Sequence, residues 1–212
     1  MNVPVGVVAW ASWTADVGAP DTALLPSTGG PTRLLDRMAA HVLGELVERG
    51  GLDITRLAIV HATANAESGR LARLVGHRSF STSVRAGITT VAMGLLEAIG
   101  VLGTVADQVA VVWAEDAGRA SPTPGTGYDA LAAALLLRVT DDAPWQLRDL
   151  SSRPAPPPVV PAPFAHSPCG PALTLVRALR CGSAGTIALE HGAGARRARW
   201  CVDLESETMA SS

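Results

Sequence analysis

The 212 residues carry 19 acidic and 17 basic side chains, for a formal net charge of -2, and 48% of them are hydrophobic. This balance excludes a disordered chain, and the absence of a basic block makes nucleic acid a poor partner. No apolar run, of which Leu131 to Leu137 is an example, approaches the ~20 residues of a membrane-spanning helix, so no membrane partner is expected. Every basic residue is Arg and none is Lys; with the abundant Ala, Gly and Pro this suggests a GC-rich coding sequence, so Arg richness carries no functional weight. Cys169, Cys181 and Cys201 are odd in number and widely spaced, which matches no metal motif and no evident disulfide framework. A reducing cytoplasm suits them, and no cofactor is implied.

In chain order, "MNVPVGVVAWASW" lacks a positive leader and reads as a first strand centred on residues 3–10, not as a signal peptide. Residues 11–31 are rich in Pro, Gly, Ser and Thr and read as loop. Thr32 is placed to cap a helix running to about Arg49, with Leu35, Met38, Ala39, Val42, Leu43 and Leu46 in one apolar stripe and Gly50 and Gly51 ending it. "RLAIVHA" (56–62) is a strand, "AESGRLARLVG" a short helix and "SFSTSV" (79–84) a short strand. Residues 87–102 form a helix that is apolar nearly all round, hence largely buried. "QVAVVWA" (108–114) is a continuous apolar strand, the pattern of a parallel strand covered on both faces. A polar loop (115–127) leads to the strand "YDALAAALLLRV" and the shorter "PWQLRDL". Residues 151–163 read as a Pro-rich linker. A helix from Pro171 to about Arg180 and a hairpin of "GTIALEHG" and "RARWCVDLE", turning in "GAGARR", close the chain. The expected class is α/β, with a mixed, mostly parallel sheet covered by helices on both faces and a C-terminal helix and β-hairpin.

"LAIVHATANAESG", "FSTSVRAGITTVAMGLLEAIG", "QVAVVWAEDAG" and "YDALAAALLLRV", in this order, resemble the N-terminal half of a thiolase-like ketosynthase fold. The chain is most similar to the short ketosynthase-like chain-length-factor proteins of bacterial type II polyketide and aryl polyene pathways. The likeness covers most of residues 1–140 and extends more weakly to "CGPALTLVRALR" and "RWCVDLE". It implies a ketosynthase-like domain over 1–150, a linker over 151–163, a helix and hairpin packing on the same domain over 164–206, and a disordered tail over 207–212. In the family the corner between the short strand and the buried helix reads Thr-Ala-Cys-small-Ser, and the Cys carries the acyl chain. Here Thr82 matches the Thr, Val84 falls at the Cys, and Ala86 and Gly87 match the small residues. Valine has neither a lone pair nor a proton to lose, so it forms no thioester. Ser83 is one position off, and a one-residue shift on a strand turns a side chain to the opposite face. The family's two histidines come from a second half for which the chain leaves no room; His41, His61, His77, His166 and His191 read as structural or surface residues, with His77 exposed.

The resemblance implies a non-catalytic subunit that forms a heterodimer with an active beta-ketoacyl synthase in polyketide, polyene or fatty-acid-like biosynthesis. The acyl carrier protein would be met via that partner, although the cluster of Arg196, Arg197 and Arg199 could dock an acidic carrier protein. The strand before the corner would be an exposed edge at the dimer interface, and Thr82, Ser83, Val84, Arg85, Thr89 and Met93 would line the acyl tunnel or the interface. Two alternatives stay open: a small acyl-transferring or hydrolysing enzyme using Ser83 or a Cys, and a homodimeric thiolase-like scaffold or binding protein. Glu115 and Asp116 read as solvated loop acids, the five Trp as packing residues, and Arg196, Arg197 and Arg199 as a solvated turn.

Overall fold

The centre of the sheet is set by strands with no polar alternation. In the computed structural model, which describes residues 4–21, 23–25, 33–64, 71–119, 125–191 and 198–206, β4 (Gln108–Glu115) is buried from Val109 onward and β7 (Leu131–Val139) from Leu131 to Leu137. Strands covered on both faces bury every side chain, so both read as continuous apolar runs. Around them lie β1 (Val5–Thr14), β2 (Ala58–Ala62), β3 (Ser81–Val84), β8 (Trp145–Pro154), β9 (Gly185–Ala188) and β10 (Ala198–Ser206). The eight strands run in the order β3-β2-β4-β7-β1-β8-β10-β9, and β5 (Gly118–Arg119) pairs with β6 (Gly127–Tyr128) in a separate two-stranded ladder.

Helix α1 (Leu34–Gly50) covers one face, burying Leu35, Met38, Ala39, Val42, Leu43 and Leu46 against Ala9, Ala11, Ala132, Ala134 and Leu136. Its αL C-cap is Gly51, at φ +58°, a conformation that favours glycine. The cap expected at Thr32 lies outside the described residues; the residue preceding the helix is Arg33. The short α2 (Leu71–Leu74) adds Leu71 to the same layer. On the opposite face, α3 (Thr90–Val101) packs over β2 and β4, and α4 (Gly170–Cys181) over β7 and β1.

The α/β class and the helices on both faces are as expected, but the strand directions differ. Only β2 is parallel to its neighbours, β3 and β4; the five other adjacent pairs are antiparallel. A parallel return requires a crossover over a sheet face, usually a helix. The described connections between β4 and β7 and between β7 and β8 hold no helix; β7 folds back antiparallel beside β4, and β8 runs antiparallel on the far side of β1. The segment read as linker from residue 151 begins as strand: Ser151–Pro154 complete β8 and face Cys201, Trp200, Arg199 and Ala198 of β10. β9 and β10 form the expected hairpin, whose turn (192–197) lies outside the described residues, as does the tail from 207.

Candidate functional site

The corner is built at the carboxyl ends of the parallel strands. β3 follows β2 in register, with Val60 opposite Thr82, His61 opposite Ser83 and Ala62 opposite Val84. Alternation then divides the side chains. Val84 packs with Val60 and Ala62 in the core layer that holds α3, whereas Ser81 and Ser83 border a small cavity with Ile59, His61, Leu71 and Ala72 on the other face. After Arg85 the chain reverses through Gly87, at φ +55°, where a side chain is strained. The Thr90 hydroxyl donates to the Gly87 carbonyl at 2.7 Å and accepts from the Ala86 amide at 3.3 Å, and the Thr89 hydroxyl donates to the Ala86 carbonyl at 2.9 Å. The Thr90 hydroxyl thus partners the Ala86 amide, and the Ala86 and Gly87 carbonyls, which also accept from the Thr89 and Thr90 amides, gain a second donor each.

Glycine makes the helix–sheet contact close. A Cβ on Gly94 would lie 2.7 Å from Trp113 Nε1 and 2.8 Å from the Ala62 Cβ. The helix therefore starts where the backbone after Val84 delivers it and rests directly on β2 and β4.

A second feature, not foreseen from sequence, ties the strand ends together. Glu115 is 3% exposed, not a solvated loop acid. Its carboxylate accepts from the Ala64 amide at 2.8 Å and from the Thr63 hydroxyl at 3.4 Å, and the Cys169 thiol points at it from 3.9 Å. The Ala64 carbonyl in turn accepts from Arg85 Nε at 3.2 Å. A relay thus runs from the start of α4 through the end of β4 and the loop after β2 to the corner. Burial, and then the Glu115 charge, push the Cys169 thiol well above its usual range, so it is held as a thiol. The available signal was position: Glu115 closes an otherwise apolar strand.

The six sequence-predicted site residues come together on β3 and the first turns after it. Thr82, Ser83, Val84, Thr89 and Met93 are half-buried and Arg85 is exposed. Ser83 has an imidazole beside it, since His61 is its register partner. His61 is 4% exposed, and neither ring nitrogen has a hydrogen-bond partner in the structure. Burial alone lowers its pKa to about 4. Ser83 is therefore next to a neutral imidazole without being hydrogen-bonded to it.

His77, expected exposed, is half-buried with Nε2 at 2.5 Å from the Leu57 carbonyl. His191 is half-buried, with Nε2 at 2.8 Å from the Ser167 carbonyl, and burial lowers its pKa. Neither lies at the corner. The cysteines are free thiols: Cys169 and Cys201 are buried and Cys181 is exposed. Among the described residues no cluster of His, Cys, Asp or Glu has the makings of a metal site.

No protein-family profile matches the sequence, and no curated protein matches it. Solved structures do. A ketosynthase (ApeO) in complex with its chain length factor (ApeC), from Xenorhabdus doucetiae, superposes with a TM-score of 0.58 at 15% identity, covering 95% of this chain and 100% of the matched one. The chain has a ketosynthase-like fold. The 3-oxoacyl-(acyl carrier protein) synthase III FabH from Pseudomonas aeruginosa PAO1 gives 0.54 at 15% identity, with 96% and 98% coverage. The tetronic acid condensing enzyme AbyA1 gives 0.51 at 17% identity over 72% of this chain; the chain spans 58% of that enzyme's length.

Proposed function

We propose that this chain is a non-catalytic, chain-length-factor-like subunit that pairs with an active beta-ketoacyl synthase and shapes the tunnel for the growing acyl chain. The observation that carries the reading is Val84: the corner keeps its register, its tight turn and its hydroxyl-braced helix start, but an aliphatic side chain stands where the resemblance places a nucleophile. A wall needs only shape, and Val84 and Met93 are apolar and partly buried against the core at that point.

The free edge supports the pairing. β3 is an outermost strand of the sheet. Phe80 and Val84 direct their carbonyls to β2, accepting from Ile59 and Thr63 at 3.0 and 3.1 Å. By the alternation of a parallel ladder, the backbone groups of Ser81 and Ser83 face away from β2 and are open to another strand. In the segment that follows, Ile88 is 58% and Leu96 44% exposed. The largely buried helix expected from sequence thus has an open apolar flank, the composition of an obligate interface. The carrier protein would deliver its acyl group to the partner, and the product would be a polyketide, a polyene or a fatty-acid-like chain.

Co-expression of the tagged chain with ketosynthases from its own genome tests this. The expected outcome is a stoichiometric complex on size exclusion; elution alone, as a stable monomer or homodimer, beside every such partner overturns it. The Ser83–His61 adjacency favours a second reading, an acyl-transferring enzyme. An acyl adduct by intact-mass measurement that disappears in Ser83→Ala would establish that reading in place of the first.

A further inference from the structure

Away from the corner lies a cavity of about 440 Å³, within the size range of small-molecule sites. It opens where β1 ends. β1 runs antiparallel to β7, and β7 antiparallel to β4, so β1 and β4 point the same way and the cavity shares the carboxyl edge of the sheet with the corner. That edge is where open α/β sheets hold ligands. Apolar side chains of Val159, Pro163 and Phe164 form one wall, and Leu173 and Val176 of α4 face them.

The charges at its rim are segregated. Arg177 and Arg180 stand about one turn apart on α4. Asp16 follows β1 and Asp129 precedes β7; Thr14 and Leu131 are register partners, so the two acids lie at the same end of neighbouring strands. Among the described residues, no ion pair joins these acids to these arginines. Arg180 donates to the Ser12 hydroxyl at 3.1 Å, and the side chains of Arg177, Asp16 and Asp129 have no hydrogen-bond or ion-pair partner there.

We propose that this cavity binds a small zwitterion with an apolar body, the class to which aromatic and branched-chain amino acids belong. The anionic end meets Arg177 and Arg180, the ammonium end meets Asp16 and Asp129, and the apolar body lies between Phe164 and Leu173. A plain anion would meet two carboxylates, and a plain cation two guanidinium groups, so only a ligand bearing both charges satisfies both sides of the rim. The site is independent of any pairing at β3.

Three probes of one shape separate the possibilities: L-phenylalanine, 3-phenylpropanoate and 2-phenylethylamine, titrated into the full chain by calorimetry or ligand-observed NMR. Phenylalanine is expected to bind at least tenfold more tightly than either singly charged analogue. Arg177→Gln is expected to weaken phenylalanine at least tenfold without weakening phenylethylamine, whose like-charge repulsion it relieves; Asp129→Asn is expected to weaken phenylalanine without weakening phenylpropanoate, for the same reason. Both side chains are exposed, so the variants should unfold at the wild-type temperature. No saturable binding below about 10 mM, phenylpropanoate binding as tightly as phenylalanine, or phenylalanine affinity unchanged in both variants overturns the proposal.

Discussion

His61 shows how one side chain couples this fold to pH. In an unfolded chain its imidazole titrates near 6.5, and in the fold burial lowers that to about 4. Protons therefore bind the unfolded chain first: the stabilisation is complete above pH ~6.5 and declines as the pH falls toward 4, by about 3 kcal/mol in all. Urea unfolding of the wild type is expected to show a loss of about 2 kcal/mol from this group between pH 7.5 and 5. His61→Leu should remove that share, and His191, whose pKa is lowered in the same direction, should leave a residue of the slope. An identical pH slope in both proteins would contradict this account. The Glu115 carboxylate holds the Ala64 amide, and the Ala64 carbonyl holds Arg85.

Glycine sets the spacing of helix α3 over β2 and β4. Gly94→Ala would gain helix propensity of about 1 kcal/mol, but its methyl would meet Trp113 and Ala62, both fully buried. Overpacking of this kind costs about 1–3 kcal/mol, and the neighbours are an indole and a strand methyl with no room to yield. A net loss of about 1–2 kcal/mol in chemical unfolding is expected; a variant as stable as the wild type would show that the helix can lift off the sheet at no cost. On β3, proline is tolerated where the amide faces outward and not where it faces a partner strand. Ser83→Pro should therefore leave folding nearly unchanged while removing one open edge donor, and its complex with a ketosynthase should weaken at least tenfold by titration. Unaltered affinity would show that β3 is not the paired edge.

At the scale of the whole molecule, Ile88 and Leu96 are exposed apolar side chains of the corner's helical segment, and β3 is a free edge of the sheet. Leu96→Glu places a charge there, where desolvation on association is costly. Size exclusion of the co-expressed pair is expected to show at least a tenfold loss of affinity with an unshifted melting temperature of the isolated chain; retention of the complex would place the interface elsewhere.

The sequence by itself determined the apolar strands, the amphipathic α1, the glycine that ends it and the corner around Val84, because each rests on local periodicity or backbone freedom. Arg199 shows the limit. Read as part of a solvated turn, it is fully buried, donating to the Ala155 carbonyl in a small cluster with Ala188 and Cys201. Glu115 crossed the same limit, as did the antiparallel return of β7. Each depends on which distant strand arrives alongside: the loop after β2 and the thiol at the start of α4 for Glu115, the segment after β8 for Arg199. Only tertiary structure decides such matters, since the burial of a polar group and the direction of a neighbouring strand are properties of contacts between segments and leave no mark on the periodicity of either one.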